Sequence, residues 1–135
     1  MTTPAESLKQ IDLFGDLSQR QLKRLASKFR ERRFDRGALV VRQGEMSGVG
    51  FFVVAEGEAT VTVDGREVER LVPGGHFGEL ALIAERERAA TVTADTELTC
   101  LEIPIWEFRD FVKSEPNVAW KLLQHVVTTF LDAPT

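Results

Sequence analysis

The chain has 135 residues, of which 43% are hydrophobic and 28% charged, and its net charge is −4. That length suits one domain with its own core, and the apolar content excludes a disordered chain. The single Cys excludes an intrachain disulfide scaffold, the acidic balance argues against a nucleic-acid clamp, and no apolar run reaches the roughly 20 residues of a membrane span.

The N-terminus lacks the basic-then-apolar layout of a secretory leader, so a reducing, cytoplasmic setting is expected. Leu8, Ile11 and the pair Leu13-Phe14 predict a short amphipathic start. Leu22, Leu25, Ala26 and Phe29 then recur at helical spacing, and Ser18 followed by Gln21 reads as a capping box. Arg30, Arg32 and Arg33 are diluted by Glu31 and Asp35 and read as a solvated strand face.

From residue 34 to 103 the pattern is one of short strands broken by glycine. Apolar runs at 38–41 and 51–55 end at Gln43-Gly44-Glu45 and Glu56-Gly57-Glu58. Residues 60–63 lead into Asp64-Gly65, a hairpin dipeptide, and residues 66–72 return to stop at Pro73-Gly74-Gly75. Segments 90–94 and 98–103 are rich in Val, Thr and Leu. Pro104 suits a helix start, and Trp106, Phe108, Phe111 and Val112 supply an apolar stripe expected to be core. After Pro116 a last helix is predicted to about residue 131. It carries Val118, Leu122, Val126 and Phe130 in one row, with Ala119, Leu123, Val127 and Leu131 in a second.

These elements predict a mainly β fold with flanking helices. The expected architecture is a jelly-roll β-barrel over 34–103, with N-terminal helices over about 8–30 and two C-terminal helices over 105–131. A single domain spans 1–135.

The chemistry concentrates between residues 71 and 92. Gly74, Gly75 and Gly78 permit tight bends and close approach to a ligand. Residues 79–83 suit one helical turn, whose free N–H groups would favour a phosphate. Arg88 offers a planar, permanently charged fork for phosphate oxygens, and Ala89 and Ala90 beside it leave room for a bulky group. Glu79 offers acceptors for sugar hydroxyls. Together these describe a pocket for a phosphorylated sugar or nucleotide.

Gly78-Glu79-Leu80-Ala81-Leu82-Ile83, four residues, and Arg88-Ala89-Ala90-Thr91-Val92 resemble the phosphate-binding cassette of cyclic-nucleotide-binding domains. Such domains occur in catabolite-activator-type regulators and in regulatory subunits of cyclic-AMP-dependent protein kinase. Gly44-Glu45, Phe51-Phe52-Val53-Val54, Gly57-Glu58, Leu71-x-x-Gly74 and Leu13-Phe14-x-x-Leu17-Ser18 are similar to the family pattern too, so the likeness runs from about residue 8 to 131. The resemblance implies that Arg88 pairs with the cyclic phosphate, assisted by N–H groups around Leu80 and Ala81. It implies that Glu79 accepts from the ribose 2′-hydroxyl, that Gly78 admits the backbone, and that Ala89 lines the nucleotide edge, with Ala90 beside it. The family often marks cyclic GMP by a hydroxyl residue directly after the Arg. Ala89 holds that position here, which favours cyclic AMP. Val61 and Val68 are candidates for the wall against the base, and Trp120, Gln124, Thr128 and Thr129 for its cap.

His76, His125 and Cys100 form no recognisable metal or nucleophile setting, and Ser18, Ser27, Ser47 and Ser114 lack one as well. No enzyme activity, metal or cofactor is expected. The chain ends at Thr135, before the long dimer helix and helix-turn-helix of bacterial relatives would be complete. It is therefore expected to read no nucleic acid itself, to signal through its C-terminal helices to an unknown downstream protein, and to have the last helix available for a homodimer. The alternative is a ligand-free interaction module of the same fold.

Overall fold

The computed structural model describes residues 4–11, 14–45, 50–78 and 87–132, with backbone alone at 125, 126, 129, 130 and 132. Two short helices come first, α1 (Pro4–Lys9) and α2 (Gln19–Ala26). The cap of α2 is the one the sequence predicts. Gln21 N–H donates to Ser18 Oγ at 3.1 Å, and Ser18 N–H donates to Gln21 Oε1 at 3.0 Å. Two of the helix's otherwise orphaned donors are satisfied in this way.

Eight strands follow among the described residues: β1 (Arg30–Phe34), β2 (Leu39–Val41), β3 (Phe51–Glu56), β4 (Ala59–Val63), β5 (Arg66–Leu71), β6 (His76–Phe77), β7 (Thr91–Ala94) and β8 (Leu98–Ile103). They form two four-stranded sheets, ordered β1-β8-β3-β6 and β2-β7-β4-β5. Every pairing among the described residues is antiparallel, and the chain repeatedly crosses from one sheet to the other, as a jelly roll requires. The β4–β5 hairpin turns at Asp64-Gly65, where both residues have positive φ, +52° and +78°. That is the twist a two-residue hairpin loop needs.

β3 is buried along its first four residues because both its faces are covered. Successive side chains of a strand point to opposite faces. Phe51 and Val53 pack with the helices, in a cluster that includes Leu8, Phe14, Leu22, Leu25, Phe108 and Phe111. Phe52 and Val54 point the other way, into the space between the sheets, with Val61, Leu71, Val92, Leu98 and Cys100. Phe14 meets Phe51 edge-on at 5.8 Å between ring centroids, while Phe52 stacks on Phe77 at 4.8 Å. Each fully buried Phe contributes about 1.5–3 kcal/mol from surface removed from water. Cys100 lies in this core as expected, and burial pushes its thiol up to about 12, out of nucleophile range.

β1 begins at Arg30, four residues before the barrel boundary expected from sequence. It pairs with β8 over its whole length, but as an edge strand it stays almost entirely exposed, so it carries no apolar alternation. Arg32 and Arg30 instead reach Glu102 at 2.9 Å and Glu107 at 3.2 Å.

The C-terminal helices are α3 (Ile105–Ser114) and α4 (Pro116–Asp132). Phe108 and Phe111, three apart, share one face and are buried. Trp106 departs from expectation. It lies two residues before Phe108, on the opposite side of the helix, and is 55% exposed. On α4, Val118 and Leu122 are buried, whereas Leu123, Val127 and Leu131 of the second row are exposed. Among the described residues, no helix is long and apolar enough to cross a membrane.

The bend between α3 and α4 is tied to α2. Glu115 accepts from Arg24 Nη1 at 2.7 Å, Arg20 Nη1 at 3.3 Å and Gln21 Nε2 at 3.4 Å. Burial works against its charge. The hydrogen bonds from Gln21 and Arg24 and the charges of Arg20 and Arg24 outweigh burial, holding its pKa below the ordinary carboxylate value. A depressed folded pKa gives stability that is present above the unfolded value and lost as pH falls through the folded one. Wild type is therefore expected to be more stable than Glu115→Gln at pH 7. That gap in urea midpoint should close on acidification through the carboxylate range, and a pH-independent gap would contradict the assignment.

Candidate functional site

Arg88 follows the segment 79–86 and stands three residues before β7. Its backbone is fixed by the loop after β2. Gly44 N–H donates to the Arg88 carbonyl at 2.8 Å, and Arg88 N–H donates to the Glu45 carbonyl at 3.0 Å. Next along, Gln43 N–H donates to Thr91 Oγ1 at 2.9 Å. These bonds continue the β2–β7 ladder to the residue that bears the charge.

The side chain of Arg88 turns inward and is only 7% exposed. Its Nη2 donates to the carbonyl of Gly50 at 3.1 Å. Gly78 lies against the same group. A Cβ added there would fall 2.8 Å from Arg88 Nη1 and 2.8 Å from the Gly50 carbonyl oxygen, and φ is +89°. Both space and backbone conformation therefore call for glycine at 78. Gly50 is tighter still, since a Cβ there would fall 1.8 Å from the Ile103 carbonyl oxygen. The guanidinium is thus seated between two glycine backbones at the ends of β3 and β6.

Burial lowers the pKa of Arg88, and the charge of Glu102 works in the opposite direction to raise it. Glu102 lies on β8, is itself 7% exposed, and is bridged by Arg32. The combination is a cation held under cover at the end of the jelly roll, with its planar donors fixed by the protein backbone. Such a group is suited to an anion with several oxygens.

The structure brings Gly78 and Arg88 together. Ala89, beside Arg88, is exposed, and Ala90 packs partly against the core between the sheets. Glu79, Leu80 and Ala81, expected to hold the ribose and the phosphate, lie outside the described residues. Val61 is buried between the sheets, whereas Val68 is 59% exposed, at a bulge in β5 where the pairing steps from Glu69 to Glu67. Trp120, Gln124 and Thr128 are exposed on α4, and the side chain of Thr129 is outside the description. Reading the sequence missed Gly50 and Glu102. A signal for Glu102 existed in the alternation of β8, where it follows Leu98 and Cys100 in the buried phase.

The family model of the cyclic nucleotide-binding domain matches residues 31–115. The chain belongs to this family. A cyclic nucleotide-gated potassium channel of Rhizobium etli is 37% identical over 109 residues, covering 81% of this chain and 30% of the channel. The domain thus spans under a third of that relative's length. Among solved structures, the N-terminal domain of a transcriptional regulator from Streptomyces coelicolor superposes with a TM-score of 0.83 and 29% identity, covering 92% of this chain and 91% of that one. The regulatory domain of Toxoplasma gondii PKA, crystallised with cAMP, gives a TM-score of 0.72 and 30% identity, covering 90% of this chain and 48% of that one. The cyclic nucleotide-binding domain described here has the jelly roll and flanking helices of these relatives.

Proposed function

We propose that this domain is a sensor that binds cyclic AMP and signals through its C-terminal helices, without catalysing a reaction. The observation that carries the reading is the buried guanidinium of Arg88, braced by the Gly50 carbonyl and packed against Gly78. A buried guanidinium held in place by backbone presents fixed, charged donors that match the oxygens of a cyclic phosphate. Glu79, Leu80 and Ala81 complete the cradle in this reading, with Glu79 on the ribose and Ala89 and Ala90 beside the nucleotide. Val61 and Val68 remain the candidates for the base wall. A cytoplasmic location belongs to the same reading.

Preference for cyclic AMP follows from Ala89, which lacks the hydroxyl that would serve a guanine. Because Ala89 is exposed, Ala89→Thr should leave the fold intact and raise relative affinity for cyclic GMP by roughly tenfold, the scale of one good hydrogen bond. Parallel titrations with both nucleotides test this, and an unchanged ratio would count against the nucleotide pose.

The signalling step is a population shift. Phosphate capture at Arg88 favours one placement of the cassette, and the C-terminal helices respond because Phe108, Phe111 and Val118 share a core with Phe51 beside Gly50. A ligand shifts such an equilibrium only by its differential affinity for the two states. Amide exchange in α3 and α4 should therefore change on saturation with cyclic AMP, and identical exchange with ligand bound would contradict the step. The exposed row Trp120, Leu123, Val127 and Leu131 favours a second reading as an interaction module, which pairs with itself or another protein and needs no nucleotide.

A further inference from the structure

Among the described residues, the buried polar or charged side chains are Gln21, Arg88, Glu102 and Glu115. Gln21 and Glu115 meet each other where the helices pack. Arg88 and Glu102 are the other two, a cation and an anion both under cover, and the charge of Glu102 acts on Arg88.

Two structural routes connect them. Glu102 stands opposite Phe52 in the β3–β8 pairing, and Phe52 stands opposite Phe77 in the β3–β6 pairing. Phe77 precedes Gly78, which lies against Arg88 Nη1. The second route runs through Gly50, which accepts from Arg88 and is pressed against Ile103, the residue after Glu102. By strand alternation Glu102 shares the inward face of β8 with Leu98 and Cys100. A carboxylate in that setting needs a cation, and Arg32 supplies one at 2.9 Å from β1. Arg32 is itself fixed by lying 5.2 Å above the ring of Phe34. Its side chain is 45% exposed, so the pair reaches from solvent into the interior.

We propose that the Arg32–Glu102 pair tunes the affinity of the Arg88 site, with Glu102 serving as an internal counter-charge against which an arriving anion competes. The inference rests on the reading of Arg88 as the phosphate ligand. The effect of the Glu102 charge on the protonation of Arg88 is consistent with this role. Arg32 is a positioning residue at a distance, because it governs how much of the Glu102 charge is left to act on Arg88.

The two partners therefore have opposite effects. Glu102→Gln keeps the shape and a hydrogen bond to Arg32 but removes the competing charge, so an anion should bind more tightly. Arg32→Gln leaves the Glu102 charge uncompensated, so an anion should bind more weakly. A purely structural pair would lower stability in both variants and move their affinities in the same direction, if at all.

The test is calorimetric titration of nucleotide-stripped wild type, Glu102→Gln and Arg32→Gln with cyclic AMP, together with urea midpoints for all three. The expected result is affinity roughly three- to tenfold higher in Glu102→Gln and lower by a similar factor in Arg32→Gln, the scale of one partly screened charge interaction. If wild type binds and Glu102→Gln binds equally or more weakly, the counter-charge role is overturned while the phosphate reading stands. If Glu102→Gln fails to fold, unchanged or tighter binding by Arg32→Gln overturns it. If wild type does not bind, the phosphate reading falls and the inference falls with it.

Discussion

Arg88→Ala should yield a folded protein that binds cyclic AMP about 30-fold to 1,000-fold more weakly than wild type, or worse. Losing one member of a buried, hydrogen-bonded charge pair with the ligand costs about 2–5 kcal/mol, and each 1.4 kcal/mol is tenfold in affinity. The fold should survive because the backbone at this position, not the side chain, makes the ladder bonds to Gly44 and Glu45. The bond to the Gly50 carbonyl is the direct structural loss among the hydrogen bonds described. Arg88→Lys separates charge from shape. It keeps the cation but replaces the planar fork with a point charge, so it should restore only part of the affinity. Calorimetry alongside a circular dichroism melt reads both effects, and an unchanged Kd in Arg88→Ala would remove phosphate binding from this residue.

Gly50→Ala should be among the most destabilising single substitutions. The added Cβ would fall 1.8 Å from the Ile103 carbonyl oxygen, 2.9 Å from its carbonyl carbon and 3.1 Å from the Ile105 nitrogen. All three are backbone atoms, so no side-chain rotation relieves the overlap. The chain must instead part β3 from the end of β8, where Phe51 pairs with Ile103 and both are fully buried. Overpacking typically costs about 1–3 kcal/mol, and a backbone overlap belongs at or above the top of that range. For a domain of this size about 3 kcal/mol corresponds to a fall in Tm of roughly 10 °C. Gly50 also presents the carbonyl that braces Arg88, so the variant should lose nucleotide affinity even where enough folded protein remains to titrate. A near-wild-type melt would contradict the packing at this position.

Much of the architecture was written in local signals. Ser18 and Gln21 cap α2 because short polar side chains reach the free N–H groups of a first turn, an interaction confined to four residues. Asp64-Gly65 announces a hairpin because few dipeptides accept positive φ twice in succession. Gly78 and Arg88 were legible through the resemblance of their surrounding segment to a known cassette, and the structure sets them against each other. The features that escaped notice depend on partners distant in sequence. Gly50 needs to be glycine only because residues 103 and 105 return to its side, and nothing within its own segment indicates that. Glu102 falls in the buried phase of β8, but the cation that pairs with it, Arg32, arrives from an edge strand 70 positions away. β1 was legible as a solvated, Arg-rich strand face, although an exposed edge strand shows no apolar alternation to mark where it begins. Trp106 was read into one apolar stripe with Phe108 and Phe111, whereas a two-residue step along a helix sends it to the other side.

The central claim is that this chain holds a cyclic nucleotide through Arg88, and calorimetric titration of nucleotide-stripped protein with cyclic AMP, with cyclic GMP in parallel, tests it most directly. Saturable one-site binding that prefers cyclic AMP is the predicted result. Absence of binding by either nucleotide, in protein shown to be folded, would contradict the claim and leave the exposed row of α4 as the leading clue to an interaction module.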